Sequence, residues 1–170
     1  SSGKTEVYAH LLESVLKENK QALYLVPEIA LTTQLIHRLR QYFGDAVMVY
    51  HSRFSDRERV ENWLELVKNP MKPRLIVGAR SSIFLPFSNL DLVIVDEEHE
   101  NSFKQYDPAP RYHARDSAIV LASIHKAKVL LGSATPSFES YFNGKRNKYV
   151  LVSLTERYGN IEMPEIIAVD

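Results

Sequence analysis

Cysteine is absent from this chain of 170 residues. That excludes a disulfide framework and any thiolate zinc site within it, and it fits a reducing compartment. Long apolar runs are also missing. None approaches the roughly 20 residues needed to span a bilayer, and the first residues lack the basic-then-apolar order of a signal peptide. The expectation is a soluble, cytoplasmic protein with no membrane partner. Neither charge sign dominates: 21 basic residues face 21 acidic ones, for a formal net charge of zero. Bulk attraction therefore gives no reason to expect nucleic acid, which would have to meet a local basic strip. The six histidines show no metal-ligand spacing, and no internal repeat or low-complexity tract is visible. What remains, 45% hydrophobic and 25% charged residues, is the make-up of one globular domain over 1–170 with a single full core.

Apolar, β-rich runs recur at Ala22–Val26, Val47–Tyr50, Arg74–Gly78, Asp91–Val95 and Lys128–Gly132. Helical spacing fills Thr5–Asn19, Ile29–Phe43, Ser55–Lys68, Ala114–Lys126 and a shorter Ser137–Asn143. Continuous apolar strands alternating with helices predict a mostly parallel α/β sheet with helices on both faces. Ser55 followed by Glu58 is a capping-box signature. Trp63 and its apolar neighbours read as core. Periodicity stops between Glu100 and Tyr112, where Pro108 and Pro110 sit among aromatic and polar residues. A loop of that length inside a compact domain is usually functional. Two further short apolar runs, Tyr149–Leu154 and Ile166–Val169, have no assigned place in the sheet.

Two motifs carry chemistry. Ser1-Ser2-Gly3-Lys4-Thr5 is the second half of G-x-x-x-x-G-K-[ST], and an apolar strand further on ends in Asp96-Glu97-Glu98-His99. A nucleoside triphosphate needs backbone N–H groups and an ammonium around its phosphates, and a hydroxyl and a carboxylate to hold Mg²⁺. Gly3, Lys4 and Thr5 suit the phosphates, Thr5 and Asp96 the Mg²⁺, and Glu97 would orient and polarise the attacking water. His99 suits a relay, because neutral imidazole donates on one side and accepts on the other. Gly132-Ser133-Ala134-Thr135-Pro136 closes another strand, with Thr135 expected as N-cap and Pro136 as the first helical residue. A phosphate loop normally follows a buried strand. Here that strand lies upstream of residue 1, so the expectation is a RecA-like P-loop lobe with its central P-loop strand truncated. Such a sheet would expose unpaired backbone groups, or recruit a strand from its own tail or, by self-association, from a neighbouring chain.

The order Gly3-Lys4-Thr5, Pro27-Glu28-Ile29-Ala30-Leu31-Thr32, Asp96-Glu97-Glu98-His99 and Ser133-Ala134-Thr135 resembles the first motor lobe of superfamily 2 helicases. With His51-Ser52, Val77-Gly78-Ala79-Arg80-Ser81 and Arg111-Tyr112-His113-Ala114-Arg115-Asp116 added, nearly the whole chain resembles the PriA family of bacterial replication-restart helicases. That resemblance implies an ATP-driven, Mg²⁺-requiring 3′-to-5′ DNA helicase, nucleoid-associated in the bacterial cytoplasm. It also implies single-stranded and forked DNA as substrates, with primosome and single-strand-binding proteins as partners of the parent protein. In the family, zinc belongs to a cysteine-rich region with no counterpart here. Lys4, Asp96 and Glu97 would serve hydrolysis, and His99, Ser133 and Thr135 would couple it to motion. An aromatic loop after the acidic motif would place Phe103, Tyr106 and Tyr112 against bases and Lys104, Arg111 and Arg115 near phosphate. Arg80 is a further phosphate candidate, against the plainer reading of a helix cap.

Stacking on bases tolerates any sequence, which suits a translocating motor. The second motor lobe and its arginine finger have no counterpart in the chain, so isolated hydrolysis and unwinding are expected to be negligible. Two other readings stay open. One is a nucleotide-gated, non-catalytic interaction module, and the other is a different superfamily 2 DNA translocase.

Overall fold

The computed structural model describes residues 3–154. Five strands, β1 (Gln21–Leu25), β2 (Val47–Tyr50), β3 (Arg74–Gly78), β4 (Leu90–Asp96) and β5 (Lys128–Gly132), form one sheet in the order β2-β3-β1-β4-β5. Every pairing is parallel. The helices are α1 (Lys4–Lys17), α2 (Thr33–Phe43), α3 (Asp56–Lys68), α4 (Ala114–His125) and α5 (Phe138–Lys145).

Strand β1 shows why both faces are covered. All five of its residues are buried, and because side chains alternate across a strand they divide between two cores. Ala22 and Tyr24 join Tyr8, Leu12 and Val15 of α1 and Leu39 of α2. Leu23 and Leu25 join Leu66 of α3 and Ala114, Ala118 and Ala122 of α4. Three alanines in α4 let that helix lie close on the sheet. The parallel register carries the C-terminal ends of the strands to one rim, with Leu25 beside Val95 and Asp96 beside Gly132. Open α/β sheets bind ligands at that rim.

Helix ends follow local chemistry. Ser55 and Glu58 form the expected capping box at α3. Helix α2 begins at Thr33 rather than at Ile29, because Thr32 is its N-cap and accepts from the Leu35 N–H, while Glu28–Ala30 forms a separate 3₁₀ turn. At α5 the expected cap is displaced too: Ser137, not Thr135, is the N-cap and accepts from the Ser140 N–H. Trp63 is not core but 46% exposed, on a helix whose single buried residue is Leu66. Of the two tail runs, residues 149–154 form no strand and Ile166–Val169 lies outside the described residues. Among the described residues β2 and β5 are therefore the sheet edges, and no helix is long and apolar enough to cross a membrane.

Candidate nucleotide site

Helix α1 starts at the strand rim, with Gly3 as its N-cap at φ 71°, a left-handed backbone that favours glycine. No described side chain caps this helix end, and while the Glu6 N–H already donates to the Gly3 carbonyl, the first N–H groups of the helix face an anion position, which the helix dipole also favours. Lys4 reaches across to β4. Its Nζ lies 2.5 Å from Glu97 Oε1 and 3.6 Å from Asp96 Oδ1. The two ends of the motif are thus adjacent in space although 93 residues apart in sequence.

Asp96 is held from several sides. Tyr8 Oη donates to Oδ1 at 3.1 Å, Tyr24 Oη donates to Oδ2 at 3.0 Å, and the Glu97 N–H donates to Oδ1 at 3.1 Å. Both tyrosines are buried, and their rings meet edge to face at 5.7 Å. Burial, and then the Asp96 charge and hydrogen bond, hold both phenols well above their ordinary range, so they stay protonated donors. Glu97 follows with φ 49°, a left-handed backbone uncommon for a non-glycine residue and a kind of strain that concentrates at functional sites. That turn separates its carboxylate from its neighbours' and sends it to Lys4. The donor set fits a nucleotide with Mg²⁺: an anion-favouring helix start, an ammonium, the Thr5 hydroxyl position in the first turn, and a carboxylate with lone-pair capacity left on Oδ2.

His99 and Ser133 also meet, with Nδ1 to Oγ at 2.6 Å, and Ser133 Oγ accepts from the Thr135 N–H at 3.0 Å. His99 Nδ1 lies 3.7 Å from Glu97 Oε2. The Ser133 hydroxyl and, through it, the Thr135 backbone N–H after β5 are therefore linked by hydrogen bonds to the motif that ends β4.

Glu98 had no assigned role in the sequence, yet it is 1% exposed and fully engaged. It accepts from the Ser137 N–H at 2.6 Å, the Ser137 hydroxyl at 2.9 Å, the Ser140 hydroxyl at 2.8 Å and Arg115 Nη1 at 3.0 Å. Burial pushes its pKa up, but the Ser137 N–H, the two serine hydroxyls and Arg115 together outweigh burial and hold it below the usual carboxylate range. This network ties β4 to α4 and to the start of α5.

The expected nucleic-acid residues separate into two groups. Arg115 is a correction: it is buried and engaged with Glu98, Ser137 and Asp116, so it does not present its guanidinium to a phosphate. Phe103 is another. It is 1% exposed, in the core beneath a short 3₁₀ turn at Asn101–Phe103, and offers no ring face to a base. The same loop does present Tyr106, 67% exposed, and Arg111, also exposed. Tyr112 is half-buried, edge-on to Phe84 at 5.0 Å. Lys104 pairs with His113 in an isolated antiparallel bridge, and its carbonyl accepts from Arg80 Nη1 at 3.1 Å. Arg80 thus braces the loop from the 3₁₀ segment Arg80–Phe84.

A wholly parallel sheet with a phosphate-type helix start facing paired acids at the strand rim defines a RecA-like P-loop lobe. The chain belongs to the DEAD/DEAH box helicase family, which matches residues 1–142. It is similar to the Replication restart protein PriA of Bacillus subtilis, 47% identical over 99% of this chain and 21% of that protein, and to that of Rickettsia felis, 44% identical over 99% and 26%. The Haemophilus influenzae protein of the same name is 46% identical over 94% of this chain and 21% of its own length. The chain therefore spans about a fifth to a quarter of these relatives. Family membership implies ATP and Mg²⁺ in general terms. Among the described residues no cluster of three His, Asp or Glu side chains could hold a metal ion, so a cation here would need oxygen ligands from the nucleotide as well.

Proposed function

We propose that this lobe binds Mg²⁺-ATP between α1 and the end of β4 and, within a full-length replication-restart helicase, supplies half of the motor for 3′-to-5′ unwinding of forked DNA. The observation that carries this reading is the convergence of Lys4, Asp96 and Glu97 beside a helix start that no described side chain caps. Gly3 and the first-turn N–H groups receive the phosphates, and Thr5 and Asp96 hold the cation. When bound, Mg²⁺ neutralises charge on the outer phosphates. Lys4 exchanges Glu97 for phosphate, which frees the Glu97 carboxylate to orient water. His99 then passes any change at Glu97 to Ser133 and Thr135.

For DNA, the reading rests on the exposed Tyr106 and Arg111 of the loop, with the half-buried Tyr112 as a second ring for bases and Lys104 and, from the neighbouring 3₁₀ segment, Arg80 as further phosphate contacts. Primosome and single-strand-binding proteins would be partners of the whole protein. An arginine finger contributes about 10³–10⁵ in rate, so hydrolysis depends on such a group being brought to the site in the full-length protein.

The test is ATP hydrolysis by the full-length protein with and without forked DNA, beside Glu97→Gln. DNA-stimulated turnover that disappears in the variant is expected. Turnover indifferent to DNA or to Glu97 overturns the motor reading and favours an interaction module.

A further inference from the structure

We propose that Tyr8 and Tyr24 are positioning residues for the Asp96 carboxylate, and that the missing side chain of Gly132 is what lets Tyr8 reach it. The inference rests on the nucleotide-site reading above and adds residues that neither sequence motif contains. Each phenol takes a different carboxylate oxygen: Tyr8 on Oδ1 at 3.1 Å and Tyr24 on Oδ2 at 3.0 Å. They come from different elements, α1 and β1, so rotation of the carboxylate about its last bond is opposed from two directions. Oδ1 also accepts the Glu97 N–H, which fills its two lone pairs, whereas Oδ2 keeps one. The clamp therefore leaves a single defined direction in which Asp96 can engage a cation or its water.

Gly132 is the register partner of Asp96 on the neighbouring strand. A Cβ there would stand 1.7 Å from Tyr8 Oη and 3.6 Å from Asp96 Oδ1. The first distance is impossible, so any side chain at this position would evict the Tyr8 hydroxyl. Both rings are buried and packed edge to face, and removing only their hydroxyls leaves that packing in place. Partners that orient a metal-binding carboxylate typically change metal affinity by about 10–100-fold when removed.

The experiment measures fluorescent ADP binding to the full-length protein across a Mg²⁺ titration and in EDTA, for wild type, Tyr8→Phe, Tyr24→Phe, the double variant and Gly132→Ala. The expected result is a rise in half-saturating Mg²⁺ of about 10-fold or more in the double variant, smaller rises in the single variants and in Gly132→Ala, and unchanged affinity in EDTA. An unchanged Mg²⁺ midpoint overturns the clamp. Equal loss with and without Mg²⁺ also overturns it, because that marks general disruption. If the double variant does not fold, the two single variants decide by the same criteria. Failure of the wild type to bind ADP, or to respond to Mg²⁺, would instead sink the nucleotide-site reading itself.

Discussion

Replacing Arg115 by alanine separates two roles that the residue type alone cannot distinguish. Its Nη1 donates to Glu98 at 3.0 Å and to the Ser137 hydroxyl at 2.8 Å, and Glu98 is 1% exposed. Removing the guanidinium leaves a buried carboxylate with only neutral donors, and breaking a buried pair from one side costs about 3–5 kcal/mol. Against a typical domain stability of about 5–15 kcal/mol, that is a large fraction. Urea unfolding followed by circular dichroism should show the midpoint falling with an unchanged slope. Glu98→Gln keeps the shape but leaves Arg115 without its counter-charge and turns one oxygen into an NH₂ that faces the Ser137 N–H or Arg115 Nη1, so it should cost a comparable amount.

The sign of the pH dependence follows from Glu98's lowered pKa. Its contribution is full above the unfolded carboxylate value and is lost as pH falls through the lower folded value. Glu98→Gln should therefore flatten the acid limb of the stability profile. An Arg115→Ala variant that unfolds within about 0.5 kcal/mol of wild type, but whose DNA affinity has a salt slope shallower by about 1, would refute the structural role and restore the phosphate contact.

Other changes test the loop and the rim. Phe103→Ala should destabilise by about 3–5 kcal/mol as a core truncation, whereas Tyr106→Ala should leave stability within about 0.5 kcal/mol and weaken single-stranded DNA binding by about 1–3 kcal/mol; equal effects of the two in both assays would contradict their placement. Gly78→Ala puts a methyl 2.6 Å from both Ser82 Cβ and the Tyr50 carbonyl, and overpacking of that kind costs about 1–3 kcal/mol, readable as a lowered melting temperature.

The strands were legible because a sheet covered on both faces leaves no alternation to misread: Leu75–Val77 and Leu92–Val95 are buried throughout. That Lys4, Asp96 and Glu97 meet was legible because a helix start and a strand end of that residue type and order come to one rim of such a sheet. Phe103 and Arg115 were misread for a physical reason. An aromatic–basic segment has the same spelling whether its aromatic turns inward or outward, and only the 3₁₀ turn at Asn101–Phe103 decides. Trp63 failed in the opposite direction, since an apolar residue on a helix says nothing about how much of the helix the sheet can cover. Tyr8 and Tyr24 fall inside a helical and an apolar strand segment of the sequence, and both are core. Their hydroxyls acquire a partner only when α1 and β1 are brought to the end of β4, a long-range fact absent from any local pattern. Glu98 offered one signal that could have been used, a carboxylate between two residues already assigned to chemistry, with serines at 137 and 140 spaced for one helix turn.

The left-handed residue at Glu97 gives the end of β4 the character of a junction. Four consecutive side chains leave it for four destinations: Asp96 to two tyrosines, Glu97 to Lys4, Glu98 to α4 and α5, and His99 to Ser133. Inserting or deleting one residue there would redirect every later branch to the wrong address. Such a segment is fixed in length by what it joins, whereas the loop that follows it is shaped from within, Gln105 Nε2 donating to the Pro108 and Pro110 carbonyls.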